Sequence, residues 1–193
     1  MARKAHRGVI AIPAYLMVGI GIGLASATQL IEGNLGQFAV NNGPWRTWPS
    51  AGTPNSDPYT RGHYLAYGRL PMSAFEAVEF MATTDSANDS LDASCSYVIK
   101  GPIAPARWWR ITAQQEIAPE LLSGTSVLSQ FAIAEPNNEI RIAASKDPQP
   151  GNWLKLQPQS SLAFTLTLFS PANSVKGAHL SAVMPAIERG ECL

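Results

Sequence analysis

A mainly β fold, an antiparallel β-sandwich or jelly-roll-like domain behind a single N-terminal transmembrane helix, is what this sequence predicts. Three observations carry the prediction. Gly8 to Ile31 holds no charged residue and follows Arg3, Lys4 and Arg7, and an uncharged stretch of about 20 residues can cross the hydrocarbon core as a helix. The chain has 15 Pro, 15 Gly and only 15% charged residues, the composition of a turn-rich β protein rather than a helical bundle. Several short runs alternate apolar and polar residues, as half-buried strands do.

The basic residues ahead of the apolar span are expected to stay in the cytoplasm. Residues 1–7 are therefore a cytoplasmic tail, 8–31 a transmembrane anchor, 32–51 a connector and 52–193 a periplasmic β-rich domain. The expected address is the bacterial inner membrane, single-pass, with the C-terminal domain in the periplasm. A rival reading is open: Ala25-Ser26-Ala27 has the small-x-small form that signal peptidase cuts, which would leave a mature chain starting at Thr28. Length favours retention, because export signals have apolar cores of about 7–15 residues. Gly19, Gly23 and Ala27 recur every fourth residue, as do Ala11 and Tyr15 before them, and share one helix face. Small residues so spaced let two membrane helices approach closely, although they are also simply common in membrane segments. Pro13 lies in the first two turns, where a kink costs least.

Without its three N-terminal cations the exported part carries 14 − 3 = 11 Lys and Arg against 14 Asp and Glu, a net charge of −3. That balance argues against nucleic acid as a partner, which calls for a basic stripe. Its length suits one domain with a substantial core. The two cysteines, Cys95 and Cys192, are expected to be bridged in an oxidising compartment. They cannot form a C-x-x-C site, and His6, His63 and His179 are scattered, so no metal is expected. No cofactor motif is found.

From Glu32 to Ala51 the chain is a Gly/Asn-rich connector leading into Gly43-Pro44-Trp45-Arg46-Thr47-Trp48-Pro49. Its two tryptophans suit either the interfacial belt or a lock between connector and domain. Asp57 is placed to cap a short helix starting at Pro58 and running to Tyr67 or Gly68. Val78, Phe80 and Ala82 then alternate with Glu79, Met81 and Thr83. After a loop from Asp85 to Ser90, a second strand runs from Ala93 to Lys100 with Cys95, Tyr97 and Ile99 on one face. Trp108 to Thr112 is a third, with Trp109 and Ile111 opposed to Trp108 and Arg110. Ser126 to Ala134 and Glu139 to Ala144 suggest a hairpin turning through Glu135-Pro136-Asn137-Asn138. Asn152-Trp153 is assigned to a turn. Leu162 to Phe169 is the clearest strand, and Pro185 to Leu193 a polar tail.

Gly43-Pro44-Trp45, Gly52 and Asp57-Pro58-Tyr59-Thr60-Arg61 form the first blocks of a recognisable order. Thr83-Thr84-Asp85-Ser86, Leu91-Asp92 and Cys95-x-Tyr97 follow, then Ala106-Arg107-Trp108-Trp109, Gly151-Asn152-Trp153-Leu154 and Phe164-Thr165-Leu166-Thr167-Leu168. Over Trp45 to Pro171 the chain resembles the family catalogued as domain of unknown function 1214, in its short membrane-anchored proteobacterial form. The resemblance implies a β-sandwich or jelly-roll domain of unestablished biochemistry, often accompanied by a sister, domain of unknown function 1254. The chain departs from longer members by ending soon after its main strand.

Asp57, Tyr59, Arg61 and His63 lie close in sequence and, with Asp85, are candidates for a pocket rim. Asp57 and Arg61 also have the i,i+4 spacing of a helical salt bridge. A triad of Ser86, His63 and Asp57 can be assembled on paper, as in any chain of this length. Arg107, Trp108, Trp109 and Arg110 put one Trp and one Arg on each strand face, where an aromatic with a cation can flank a ligand or belong to the core. No residue qualifies as catalytic. The absence of a coherent nucleophile, acid/base pair or metal set favours an interaction or accessory protein of an envelope assembly. Its expected partners are the inner membrane and a membrane-anchored sister of the 1254 type. The alternative is a domain that binds or hydrolyses a sugar or lipid fragment.

Overall fold

The computed structural model describes residues 2–32, 38–66, 69–114, 125–137, 139–157, 161–172 and 183–192, with side chains of the first helix described from Ile12 to Gln29. The chain divides into two units, Met1–Gln37 and Phe38–Leu193. The first consists of helix α1 (Ala2–Glu32), which contains Pro13. Its stretch Ile12–Gln29 is long and apolar enough to cross a membrane, and a signal sequence has the same properties. Ser26 and Thr28 hydroxyls donate to the carbonyls of Gly23 and Ala25, at 2.9 and 3.0 Å. Such back-bonding satisfies a hydroxyl on an apolar helix without a partner from outside.

The second unit is a two-sheet sandwich. One sheet runs β1 (Val40–Asn42), β2 (Trp45–Thr47), β3 (Ala77–Ala82), β9 (Ala163–Pro171), β5 (Ala106–Gln114) and β6 (Thr125–Leu128) in that spatial order. The other runs β10 (Ala186–Cys192), β4 (Cys95–Gly101), β7 (Ile140–Ser145) and β8 (Asn152–Lys155). All pairings are antiparallel except β7 with β8. Period-two alternation builds the core as expected. Phe80 and Ala82, Ile111 and Ala113, and Phe164, Leu166 and Leu168 face inward from the larger sheet, meeting Tyr97, Ile99, Ile142, Ala144 and Ile187 from the smaller one. Tyr97 meets Phe164 edge to face at 5.7 Å, a favoured aromatic geometry.

The opposite face of β9 is buried as well, although it is polar: Thr165 and Thr167 are both among the buried residues. Their cover includes Arg69, which donates to Thr165 Oγ1 at 3.3 Å and to Met81 Sδ at 3.6 Å. Helix α2 (Pro58–Ala66) precedes this arginine, and Arg69 N donates to Tyr64 O at 2.8 Å. Gly52 is required for the loop ahead of α2 to lie close. Its φ is +70°, and a Cβ there would fall 2.0 Å from the Met72 carbonyl oxygen, so any side chain would meet backbone as well as strain.

Three local expectations are corrected. Ser126–Ala134 and Glu139–Ala144 do not make a hairpin: β6 pairs with β5 in one sheet, β7 with β4 in the other, and among the described residues the two stretches are joined by the isolated bridge Ala134↔Ile140. Asn152-Trp153 opens strand β8, held by Asn152 Nδ2 donating to Ile133 O at 2.7 Å and Arg141 O at 3.0 Å. Pro185–Leu193 is not a loose tail, because residues 186–192 form edge strand β10 on β4. The lock reading of the connector tryptophans holds for Trp45, which is fully buried in the core with its indole donating to Pro185 O at 2.7 Å. Helix α2 ends at Ala66; Tyr67 and Gly68 lie outside the described residues. The strand pair β4–β10 carries the disulfide Cys95–Cys192, whose two residues are register partners.

Candidate functional site

Asp57 is committed to capping α2. Its carboxylate accepts Thr60 N at 2.8 Å, Thr60 Oγ1 at 2.6 Å and Ser50 Oγ at 3.1 Å. Partial burial by itself would raise its pKa, but the hydrogen bonds from Thr60 and Ser50 outweigh that and hold it below the ordinary 3.8. Arg61 is not its ion-pair partner: the guanidinium donates to Pro54 O at 2.8 Å. The i,i+4 rule gave way because the Asp57 oxygens were already engaged at the cap. Tyr59 stacks on Phe38 with centroids 5.7 Å apart, and His63 on Trp48 at 4.3 Å.

A testable consequence concerns pH. A carboxylate with a lowered native pKa contributes stability that is complete above its unfolded value and disappears as pH falls through the native value. Asp57→Ala is expected to cost about 1 kcal/mol at neutral pH, the usual worth of an N-cap. The gap between it and the parent should close on acidification below 3.8. Urea midpoints of both proteins across the acid range check this; a gap that persists in acid would mean the cap's charge contributes nothing.

Asp85 is elsewhere and fully occupied. Oδ1 accepts the amides of Ala87 and Asp89 at 3.0 and 2.9 Å, and Oδ2 pairs with Arg189 Nε at 3.1 Å. Arg189 also donates to Ser90 O and lies over the Tyr97 ring at 5.7 Å. The neighbouring Ser86 exchanges bonds with β10: its amide donates to Ile187 O at 2.9 Å and its hydroxyl accepts Ile187 N at 2.8 Å. The loop 85–90 is thus a clasp on β10. Ser86, His63 and Asp57 form no triad, since the serine hydroxyl and the aspartate carboxylate are both bonded to other groups.

On β5 the two tryptophans part as alternation dictates. Trp108 stacks on Phe169 with centroids 3.5 Å apart, and Arg110 lies 5.9 Å from that ring. Trp109 packs against the core and lines a cavity of about 290 Å³ with Ile103, Pro105, Ser129 and Ile140. Arg107 is exposed.

Sequence reasoning missed an enclosed polar cluster. Arg69 lies 3.5 Å from Glu79, both largely covered. Glu79 also lines a small cavity of about 40 Å³ with Thr47, Trp48, Tyr64 and Met72, room for a few waters at most. Burial pushes the Tyr64 phenol well above its usual range, Glu79 adds to the rise and Arg69 opposes it. The available signal was Glu79, a charged residue on a strand whose two faces are both covered. A wider groove of about 450 Å³ opens beside the disulfide, lined by Asp92, Lys146, Asp147 and Glu191 among others. Among the described residues no three His, Cys, Asp or Glu stand close enough to hold a metal. Among the described residues the site candidates serve capping, stacking and clasping.

No match is found among curated proteins. The fold is similar to the crystal structure of the VPA0106 protein from Vibrio parahaemolyticus, with a TM-score of 0.58 and 17% identity, over 91% of this chain and 44% of that one. An uncharacterized protein from Burkholderia cenocepacia matches with a TM-score of 0.47 and 15% identity, over 90% of this chain and 42% of the other. The chain thus spans less than half the length of either. Residues 76–173, just over half of the chain, match the model of the family described as Protein of unknown function (DUF1214), and the chain belongs to that family.

Proposed function

We propose that this chain is a non-enzymatic interaction or accessory protein of the bacterial envelope, held in the inner membrane by α1 with its β unit in the periplasm. The observation that carries the reading is the state of the polar candidates: Asp57, Asp85 and Ser86 are each consumed by structural hydrogen bonds, around an apolar interior. The disulfide supports an oxidising compartment. Gly19, Gly23 and Ala27 give α1 a face on which a second membrane helix can pack, such as that of an anchored sister protein of the 1254 type.

Protease treatment of spheroplasts tests the topology. The β unit should be digested from outside while the cell retains an α1 fragment; a soluble mature protein starting at Thr28 would remove the anchor and leave the address. Purification in mild detergent tests the assembly. The chain should bring a partner with it, and Gly19→Leu with Gly23→Leu should release that partner. Elution alone, with no effect of the double substitution, defeats the assembly reading. The second reading, binding of a sugar or lipid fragment, rests on the Trp109 cavity. A saturable change in tryptophan fluorescence with such a ligand would favour it.

A further inference from the structure

We infer that the exposed apolar residues of Tyr59–Ala66 and Leu70–Phe75 form a membrane-contacting surface that rests on the lipid interface of the bilayer holding α1. The inference rests on the anchored reading above and goes beyond it, because it assigns a lipid-facing surface to the β unit.

The surface exposes large apolar side chains that a water-facing loop does not call for: Leu65 at 73%, Leu70 at 89%, Met72 at 44% and Phe75 at 78%. Clustered exposed apolar residues mark a protein or membrane contact. Two features select lipid. The first is reach. Whatever arrangement the two units adopt, only residues 33–37 separate α1 from Phe38, and five residues span at most about 18 Å even fully extended. Phe38 stacks on Tyr59 at the start of α2, so the patch begins where the chain leaves the anchor. A short tether makes docking intramolecular, at an effective concentration of about millimolar, so modest affinity is enough. The second is charge. Between Asp57 and Glu76 the sequence contains no acidic residue and Arg61 is exposed, while Arg69 is turned inward onto Glu79, although the exported part as a whole is acidic. A local stretch that is apolar and cationic suits anionic headgroups.

The test uses the full chain reconstituted alone in vesicles of phosphatidylethanolamine and phosphatidylglycerol containing a doxyl-labelled lipid. Single cysteines at Leu70, Phe75, Ile20 and Phe131 are labelled with an environment-sensitive dye under non-reducing conditions. Ile20 lies in α1 and reports insertion. Phe131 is equally exposed, at 79%, but follows β6 at the far edge of the larger sheet from β1. The dye at Leu70 and Phe75 is expected to shift to the blue and to lose emission to the doxyl lipid, while that at Phe131 does neither. Adding Phe75→Glu to the Leu70 label should abolish its quenching, without loss of the β-sheet circular dichroism signal. Quenching at Ile20 with none at Leu70 or Phe75 overturns the inference while the anchor stands. No quenching at Ile20 overturns both readings. Equal quenching at Phe131 shows non-specific adsorption and overturns the inference alone.

Discussion

Replacing Cys95 and Cys192 together by serine is expected to lower the stability of the β unit by about 4–5 kcal/mol on the loop-entropy model. The two residues are 97 apart in sequence, so the bond closes most of the domain into one loop and removes many conformations from the unfolded chain. It also fastens the end of an edge strand. Among the described strands β10 pairs only with β4, and its register shifts between Arg189 and Cys192, so the final residues have weak backbone support. Upstream the strand is held better, by Ile187 in the core and by the Arg189–Asp85 pair. Urea unfolding of the oxidised parent and the double-serine variant measures the difference. A loss below about 1 kcal/mol would mean that the unfolded chain is already compact enough for the cross-link to remove little.

Trp45→Ala should be comparably severe. The indole is fully buried, and truncating a buried Trp costs about 3–5 kcal/mol through lost transfer energy and the cavity left behind. Its Nε1 also donates to Pro185 O across 140 residues of sequence. Loss of that donor leaves a buried carbonyl unsatisfied, at about 1–3 kcal/mol more. Against a typical net stability of about 5–15 kcal/mol, the variant is expected to be largely unfolded at 37 °C. Trp45→Phe separates the terms, since it keeps most of the apolar volume and removes only the donor. Thermal unfolding of the three proteins should rank parent, Phe, Ala. A Phe variant as unstable as the Ala variant would assign the whole effect to the hydrogen bond.

The strands that alternate over six or more residues were legible in the sequence, because one face of each must leave water. Phe80 and Ala82 in β3, Tyr97 and Ile99 in β4, and Leu166 and Leu168 in β9 all point inward as their spacing requires. The cap on α2 was legible too, being a local hydrogen bond within three residues. Strands β8 and β10 were not. Strand β8 has four residues, too few for a period, and β10 is an exposed edge with a single core contact at Ile187, so no apolar face marks it. The supposed hairpin shows a different limit: alternation says that a segment is a strand and nothing about which sheet receives it.

For the candidate site the division is sharper. The sequence by itself determined the apolar N-terminal helix, a β-rich unit, the two cysteines available for a bond and the splitting of Trp108 from Trp109 across a strand, since each follows from composition or from a local period. Only the tertiary structure decided what the polar residues do. Arg61 reaches Pro54 rather than Asp57, Asp85 finds Arg189 across 104 residues, and Arg69 comes to lie on Glu79 and Thr165. A hydrogen-bonding side chain takes whichever partner folding leaves buried and unsatisfied beside it, and that partner is set by sheet order and strand register, which no local pattern records.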